Sequence, residues 1–241
     1  MKMGVIGAGL IGGALARLAR AAGHEVAIAN SRGPETLEHF AREIGAKAVS
    51  VHEAAMAADI VVLSIPPLAV ASLPRDLFVA TPGTSVVVDT ANYYPKARDG
   101  LIAEIERGML ESEWVSSRIN RPVVKAFNML KARSLATGGR EPGAPGRIGI
   151  AISGDDPHAN ARVAMLIDQI GFDPVYCGPL SDSWRQQPGT IGYCHDYDAL
   201  TLRAALSATD RSRIAQYRQE ADAFAIEQVK LLGSLEALAA A

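Results

Sequence analysis

The sequence predicts an α/β fold built on a mostly parallel, doubly wound sheet, and three observations carry that prediction. Short β-branched runs alternate with alanine-rich helical stretches from the second residue onward, which is the rhythm of βαβ units. Two of the runs, Ile60 to Ile65 and Ser85 to Asp89, lack the alternation of a half-exposed strand and suit strands covered on both faces. With 241 residues, 49% of them hydrophobic and 21% charged, the chain has enough apolar material for a sizeable core.

Taken in order, Lys2 to Ile6 reads as a strand, Leu10 to Ala22 as a helix ended by Gly23, and Glu25 to Ala29 as a second strand. A helix from Pro34 to Glu43 follows, then a short strand near Lys47 to Val49, a brief helix, and the strand Ile60 to Ile65. Ser85 to Asp89 is the next strand, Lys96 to Arg107 the next helix, and Pro122 to Ala126 a further strand. The loop GGREPGAPGR, residues 138–147, joins two parts or covers a site. A boundary placed there divides residues 1–133 from a smaller region, 134–241, although the two can equally form one domain. The rhythm resumes with a strand from Ile148 to Ile152, a helix from Pro157 to Ile170 and a strand from Pro174 to Tyr176. After the Gly- and Pro-rich residues 177–196, helical periodicity returns at Asp198. Ile214, Tyr217, Ala221, Phe224, Ile226, Val229 and Leu232 mark an amphipathic helix over Arg211 to Leu238, suited to core packing or a homodimer face.

Composition narrows the function. A net charge of -2 without a basic block argues against nucleic acid and anionic membrane as partners. No apolar run of membrane-spanning length and no signal-peptide layout is present, so the chain reads as cytoplasmic. Cys177 and Cys194 are too few for a disulfide scaffold. Cys194-His195-Asp196 is poor geometry for one metal, and no metal is expected.

The informative motif is Gly7-Ala8-Gly9-Leu10-Ile11-Gly12. A lone G-x-G-x-x-G is a weak signal, but this one follows a strand, opens a helix and leads to a second strand, as a Rossmann dinucleotide site requires. Gly7 permits the tight turn, Gly9 lets backbone approach a pyrophosphate, and Gly12 lets helix and strand pack closely. Where the second strand ends, an acid would accept from the ribose of NAD. Here the chain reads Asn30-Ser31-Arg32. A hydroxyl and a guanidinium without a carboxylate suit the 2′-phosphate of NADP(H); the alternative is a merely solvated Arg32.

Together with the opening glycines, Asn30-Ser31-Arg32-Gly33-Pro34-Glu35-Thr36-Leu37 resembles the NADPH-dependent deazaflavin (coenzyme F-420) reductases and their relatives. Ser64-Ile65-Pro66-Pro67, Asp89-Thr90-Ala91-Asn92, Val124-Lys125-Ala126-Phe127-Asn128 and Ser153-Gly154-Asp155-Asp156 are similar to that family's segments. The resemblance implies that Ile65, Pro66, Pro67, Ala91 and Asn92 border the nicotinamide, and that Lys125 and Ala126 help to close its pocket. It also implies a second planar substrate, coenzyme F-420 or a flavin. Plainer roles stand beside these: Pro66-Pro67 stopping a strand and starting a helix, Asn92 bonding its own turn, Lys125 solvated at a strand end.

The chain departs from the family in its lengthened loop, Arg140 to Arg147, and in a section from Asp182 onward where Trp184 and Arg185 either line a pocket or serve core and surface. Hydroxyacid dehydrogenases of the phosphogluconate type and pyrroline-carboxylate reductases carry a mostly helical second domain, whereas strands resume here. The expected function is therefore hydride transfer between NADPH and a second planar acceptor, with no catalytic side chain assigned. A non-catalytic NADP(H)-binding redox sensor, or a reductase of another small molecule, is the alternative.

Overall fold

The computed structural model describes residues 1–56 and 58–232. Its strands are β1 (Lys2–Ile6), β2 (Glu25–Ala29), β3 (Lys47–Ala48), β4 (Ile60–Leu63), β5 (Val86–Asp89), β6 (Val123–Ala126), β7 (Gly149–Ser153) and β8 (Asp173–Gly178). They form one sheet in the order β3-β2-β1-β4-β5-β6-β7-β8. The first six run parallel, β7 is antiparallel to β6, and β8 is parallel to β7. This is the α/β class expected from the sequence, and the strands on either side of the 138–147 loop share the sheet.

The helices are α1 (Leu10–Ala21), α2 (Glu38–Ile44), α3 (Val51–Met56), α4 (Pro67–Val70), α5 (Ala103–Glu106), α6 (Glu111–Ile119), α7 (Ala132–Thr137), α8 (Pro157–Gln169), α9 (Ala199–Ala208) and α10 (Ile214–Leu232). They cover both sheet faces, which is why the central strands are apolar at successive positions. Ile60 and Val62 of β4 pack with Leu15 of α1 and Leu166 of α8 on one face. Val61 and Leu63 pack with Ile105 of α5 and Trp114 of α6 on the other.

Two expectations from periodicity are corrected. The single helix over Lys96 to Arg107 is a π-helical turn, Pro95–Asp99, followed by α5, and α6 was not anticipated. Gly100, at φ 70°, breaks the path. Asp99 turns back to accept from the Tyr94 amide at 2.8 Å, and the Tyr93 hydroxyl accepts from the Ile102 amide at 2.9 Å. The terminal helix starts at Ile214, after a 3-10 turn at Arg211–Arg213, and its buried side chains are Tyr217, Asp222 and Ala225. Phe224 is 55% exposed. A polar anchor turns the helix off its apolar stripe: Asp222 accepts from the amides of Lys96 (3.0 Å) and Ala97 (3.0 Å). The part of the predicted helix beyond Leu232 lies outside the described residues.

The 138–147 loop is pinned at its end. Arg147 is buried, donates to Asp173 at 2.5 Å and to Asp168 at 2.9 Å, and also bonds the Arg140 carbonyl at 3.1 Å. It thus ties the loop to α8 and β8.

Candidate functional site

The order of strands reverses at β1, with β2 and β3 on one side and β4 to β6 on the other. In a sheet of this kind ligands lie outside the carboxyl ends of the strands at that switch point. The turn from β1 into α1 sits there. Gly7 has φ 109°, and a Cβ on it would stand 2.2 Å from the Ser64 carbonyl oxygen. A Cβ on Gly12 would stand 1.9 Å from the Gly7 carbonyl oxygen. A Cβ on Gly9 would meet no atom within 4 Å. Gly12 therefore lets the helix close on the turn and Gly7 lets the turn pack against the end of β4, while Gly9 faces the open side where a phosphate would approach. Helix α1 has no side-chain cap and no acidic residue in its first turn, so its leading amides and positive dipole end fit an anion. Leu10 is exposed and Ile11 half-buried at the same opening.

At the end of β2, Asn30 organises the loop and does not project from it. Its Oδ1 accepts from the Arg32 amide at 2.9 Å, and its Nδ2 donates to the Thr36 hydroxyl at 2.9 Å. Ser31 and Arg32 are exposed, and among the described residues their side chains make no hydrogen bond or ion pair. The guanidinium is thus available to a phosphate.

The turn after β4 carries half-buried Ile65, exposed Pro66 and buried Pro67. Pro67 occupies the first position of α4, the helix-starting role foreseen for it. After β5, Ala91 is buried and Asn92 half-buried. Asn92 donates to the Asn128 carbonyl at 2.9 Å and to the Tyr193 hydroxyl at 3.1 Å, and accepts from Asn128 Nδ2 at 2.9 Å. The Tyr94 and Tyr193 hydroxyls lie 2.7 Å apart. Burial pushes both phenols above their ordinary range.

Lys125 is neither solvated nor at a pocket wall: it is fully buried beneath this turn, and Ala126 beside it is buried as well. The ammonium donates to the Ala91 carbonyl at 2.5 Å and stands 3.4 Å from Asp89 and 3.9 Å from Glu111. Asp89 in turn accepts from the Ala91 amide at 2.9 Å and the Ser112 hydroxyl at 2.6 Å, while Glu111 accepts from the Tyr93 amide at 3.3 Å. Burial pushes the Glu111 carboxyl up to about 7; Lys125 and Arg218 oppose that rise and Asp89 adds to it. All three charged groups hold the backbone of one turn.

The remaining candidates fall elsewhere. Trp184 is buried under the Arg185 guanidinium, 4.2 Å from the ring, and Arg185 donates to the Leu206 carbonyl. His195 is exposed and stacks on Tyr197. With Cys194 it borders a polar cavity of about 460 Å³ that includes Lys131, Arg133 and Arg140. No metal-binding group of three or more His, Cys, Asp or Glu occurs among the described residues. No described helix is long and apolar enough to cross a membrane.

Residues 2–93 match the family described as "NADP oxidoreductase coenzyme F420-dependent". The hypothetical protein SMa0349 from Sinorhizobium meliloti has a solved structure that is 35% identical, with a TM-score of 0.68 over 82% of this chain and 95% of that one. The chain belongs to this NADP oxidoreductase family. An Arthrobacter sp. FB24 protein provisionally described as an F420-dependent NADP-reductase has the same fold at 21% identity, with a TM-score of 0.61 over 98% of this chain and 96% of that one. The Escherichia coli K12 protein YjhV is 44% identical over 63 residues, 26% of this chain, and the chain spans about half (46%) of the length of that curated relative.

The matched NADP oxidoreductase segment contains every residue foreseen for the cofactor except Lys125 and Ala126. The structure brings the glycine turn, Asn30 to Arg32, Ile65 to Pro67 and Ala91-Asn92 to consecutive strand ends. Sequence reasoning missed Asp89 and Glu111 as partners of Lys125, and Tyr94, Asn128 and Tyr193 as partners of Asn92. The one signal present was Asp89, a carboxylate closing an apolar strand that should be buried.

Proposed function

We propose that the chain is an NADPH-dependent oxidoreductase that passes hydride to a second planar acceptor of deazaflavin or flavin type. The observation that carries the reading is the pairing of an open glycine turn at the switch point with an unpaired Arg32 where the ribose is read. In this reading Gly7, Gly9, Leu10, Ile11 and Gly12 hold the pyrophosphate, and Asn30, Ser31 and Arg32 the 2′-phosphate. Ile65, Pro66, Pro67, Ala91 and Asn92 border the nicotinamide, and Lys125 and Ala126 support that wall from beneath. The nicotinamide, when bound, supplies the hydride. The protein's part is orientation and exclusion of water. The family match and the likeness to SMa0349 support nicotinamide binding. A homodimer is part of the proposal, supported by Phe224 and Leu231, 55% and 79% exposed at positions seven apart on α10.

The test is NADPH oxidation by the purified protein with coenzyme F-420, flavins, quinones and simple carbonyls in turn. Turnover with the deazaflavin or a flavin is the expected result. Tight NADPH binding without turnover on any acceptor would refute the enzyme and leave a redox sensor.

A further inference from the structure

We propose that the cavity between α7 and residues 194–196 is a binding site for a dianionic oxyanion, an organic phosphate or a dicarboxylate. Charge leads there. The chain as a whole carries a net charge of -2, yet Lys131, Arg133 and Arg140 line this one recess against the single carboxylate of Asp196. That carboxylate is already engaged, accepting from the Ser134 hydroxyl at 2.8 Å. The three cations are exposed, and among the described residues their side chains make no hydrogen bond or ion pair. Three cations against one carboxylate leave a surplus of two positive charges, in a recess of about 460 Å³. A doubly charged organic anion matches it in sign, charge and size. The two guanidiniums present forked donors that phosphate or carboxylate oxygens take in pairs. His195, which also borders the recess, stacks on Tyr197 with ring centroids 5.0 Å apart and adds a ring N–H.

Isolated surface cations hold little, but the backbones that carry these are fixed. The Ser134–Asp196 bond clamps α7 to the 194–196 segment, and the Cys194 amide donates to the Met129 carbonyl at 2.7 Å. On the other side the Arg140 amide donates to the Gly171 carbonyl at 2.9 Å, and the Arg140 carbonyl accepts from buried Arg147 at 3.1 Å. Walls held in place leave only side-chain ordering to be lost on binding. The recess lies wholly outside residues 2–93, the segment that matches the family. Arg140 belongs to the lengthened loop, and Cys194 to Asp196 belong to the section from Asp182 onward, so the two departures from the deazaflavin reductases meet here. Cys194 follows Tyr193, whose hydroxyl accepts from Asn92 at 3.1 Å, so adjacent residues join the recess to the Asn92 turn. The anion therefore has two sources: a charged arm of the hydride acceptor, which rests on the nicotinamide reading above, or a free metabolite.

The test is an NMR titration in excess NADP⁺, which keeps the probe off the cofactor's own phosphate sites. Inorganic phosphate and succinate are the probes, with sodium chloride at equal ionic strength as the control. Saturable amide shifts at Lys131 to Arg140 and Cys194 to Asp196 are expected with phosphate or succinate, and the tighter of the two names the anion class. Arg133→Ala should weaken that binding about tenfold, as loss of a charge-assisted contact does, and Arg133→Glu should abolish it. Arg133 is exposed, so both variants keep the fold. Shifts that do not saturate, that chloride reproduces, or that Arg133→Ala leaves unchanged overturn the site. In the NADPH oxidation assay, a probe that raises the acceptor KM at constant kcat and constant NADPH KM identifies the acceptor's charged arm. Saturable binding with every KM unchanged identifies a free anion. A chain that binds the probe but reduces no acceptor removes the proposed function and leaves the site standing.

Discussion

The two ends of the cleft are built by opposite means. At the glycine turn the protein removes side chains: Gly7 and Gly12 let backbone pack within reach of backbone, Gly9 leaves space, and α1 presents uncapped amides. At the turn after β5 it adds them, gripping the backbone from Ala91 to Tyr93 with a buried ammonium and two buried carboxylates. The first arrangement takes its energy from shape and is open to an anion. The second spends desolvation on fixing a few atoms, which is costly unless each charge is paired. Affinity and stability should therefore separate, with substitutions at the β2 end changing cofactor binding and substitutions under the β5 turn changing folding.

The largest expected effect is Lys125→Met. It leaves Asp89 and Glu111 facing each other in the core without their shared cation, a loss of about 3–5 kcal/mol in urea unfolding. A loss below about 1 kcal/mol would show that the cluster is not held by charge and would erase the contrast between the two turns. The same cluster sets a pH dependence. The folded Glu111 carboxyl titrates at about 7 against an ordinary 4.5, so the folded chain keeps a proton that the unfolded chain has released. Glu111 therefore makes stability fall as pH rises from about 4.5 through about 7. Glu111→Gln should flatten that fall, which denaturant midpoints across the range would report.

A smaller effect is expected at Asp222, which anchors α10 to the amides of Lys96 and Ala97 just beyond the same turn. Asp222→Ala should cost about 1–2 kcal/mol and leave NADPH affinity unchanged. A large loss of NADPH affinity would instead make the C-terminal helix part of the cofactor site.

The contrast also explains what the sequence made legible. The glycine turn is a local constraint, written in six consecutive residues, and the central strands β4, β5 and β6 follow from runs of β-branched residues. Asp89, Glu111 and Lys125 come from three elements, and only tertiary packing places them together. Lys125 looked like a solvated or pocket-lining residue because the cost of burying a lysine is visible only once its partners are. Tyr94 and Tyr193 are 99 residues apart. Spacing puts Phe224 on an apolar stripe suited to core packing or a homodimer face, and the polar anchor at Asp222 sets the helix rotation that leaves it exposed. Gly100 and the Asp99 carboxylate divided a stretch that otherwise reads as one helix.

The most direct measurement is the dissociation constant for NADPH and for NADH, in the wild-type chain and in Arg32→Ala. The wild-type chain should clearly prefer NADPH. The substitution should weaken NADPH about tenfold or more, as loss of a charge-assisted contact does, and leave NADH affinity and unfolding midpoint unchanged. Equal wild-type affinity for the two cofactors, or NADPH affinity indifferent to Arg32, would contradict it.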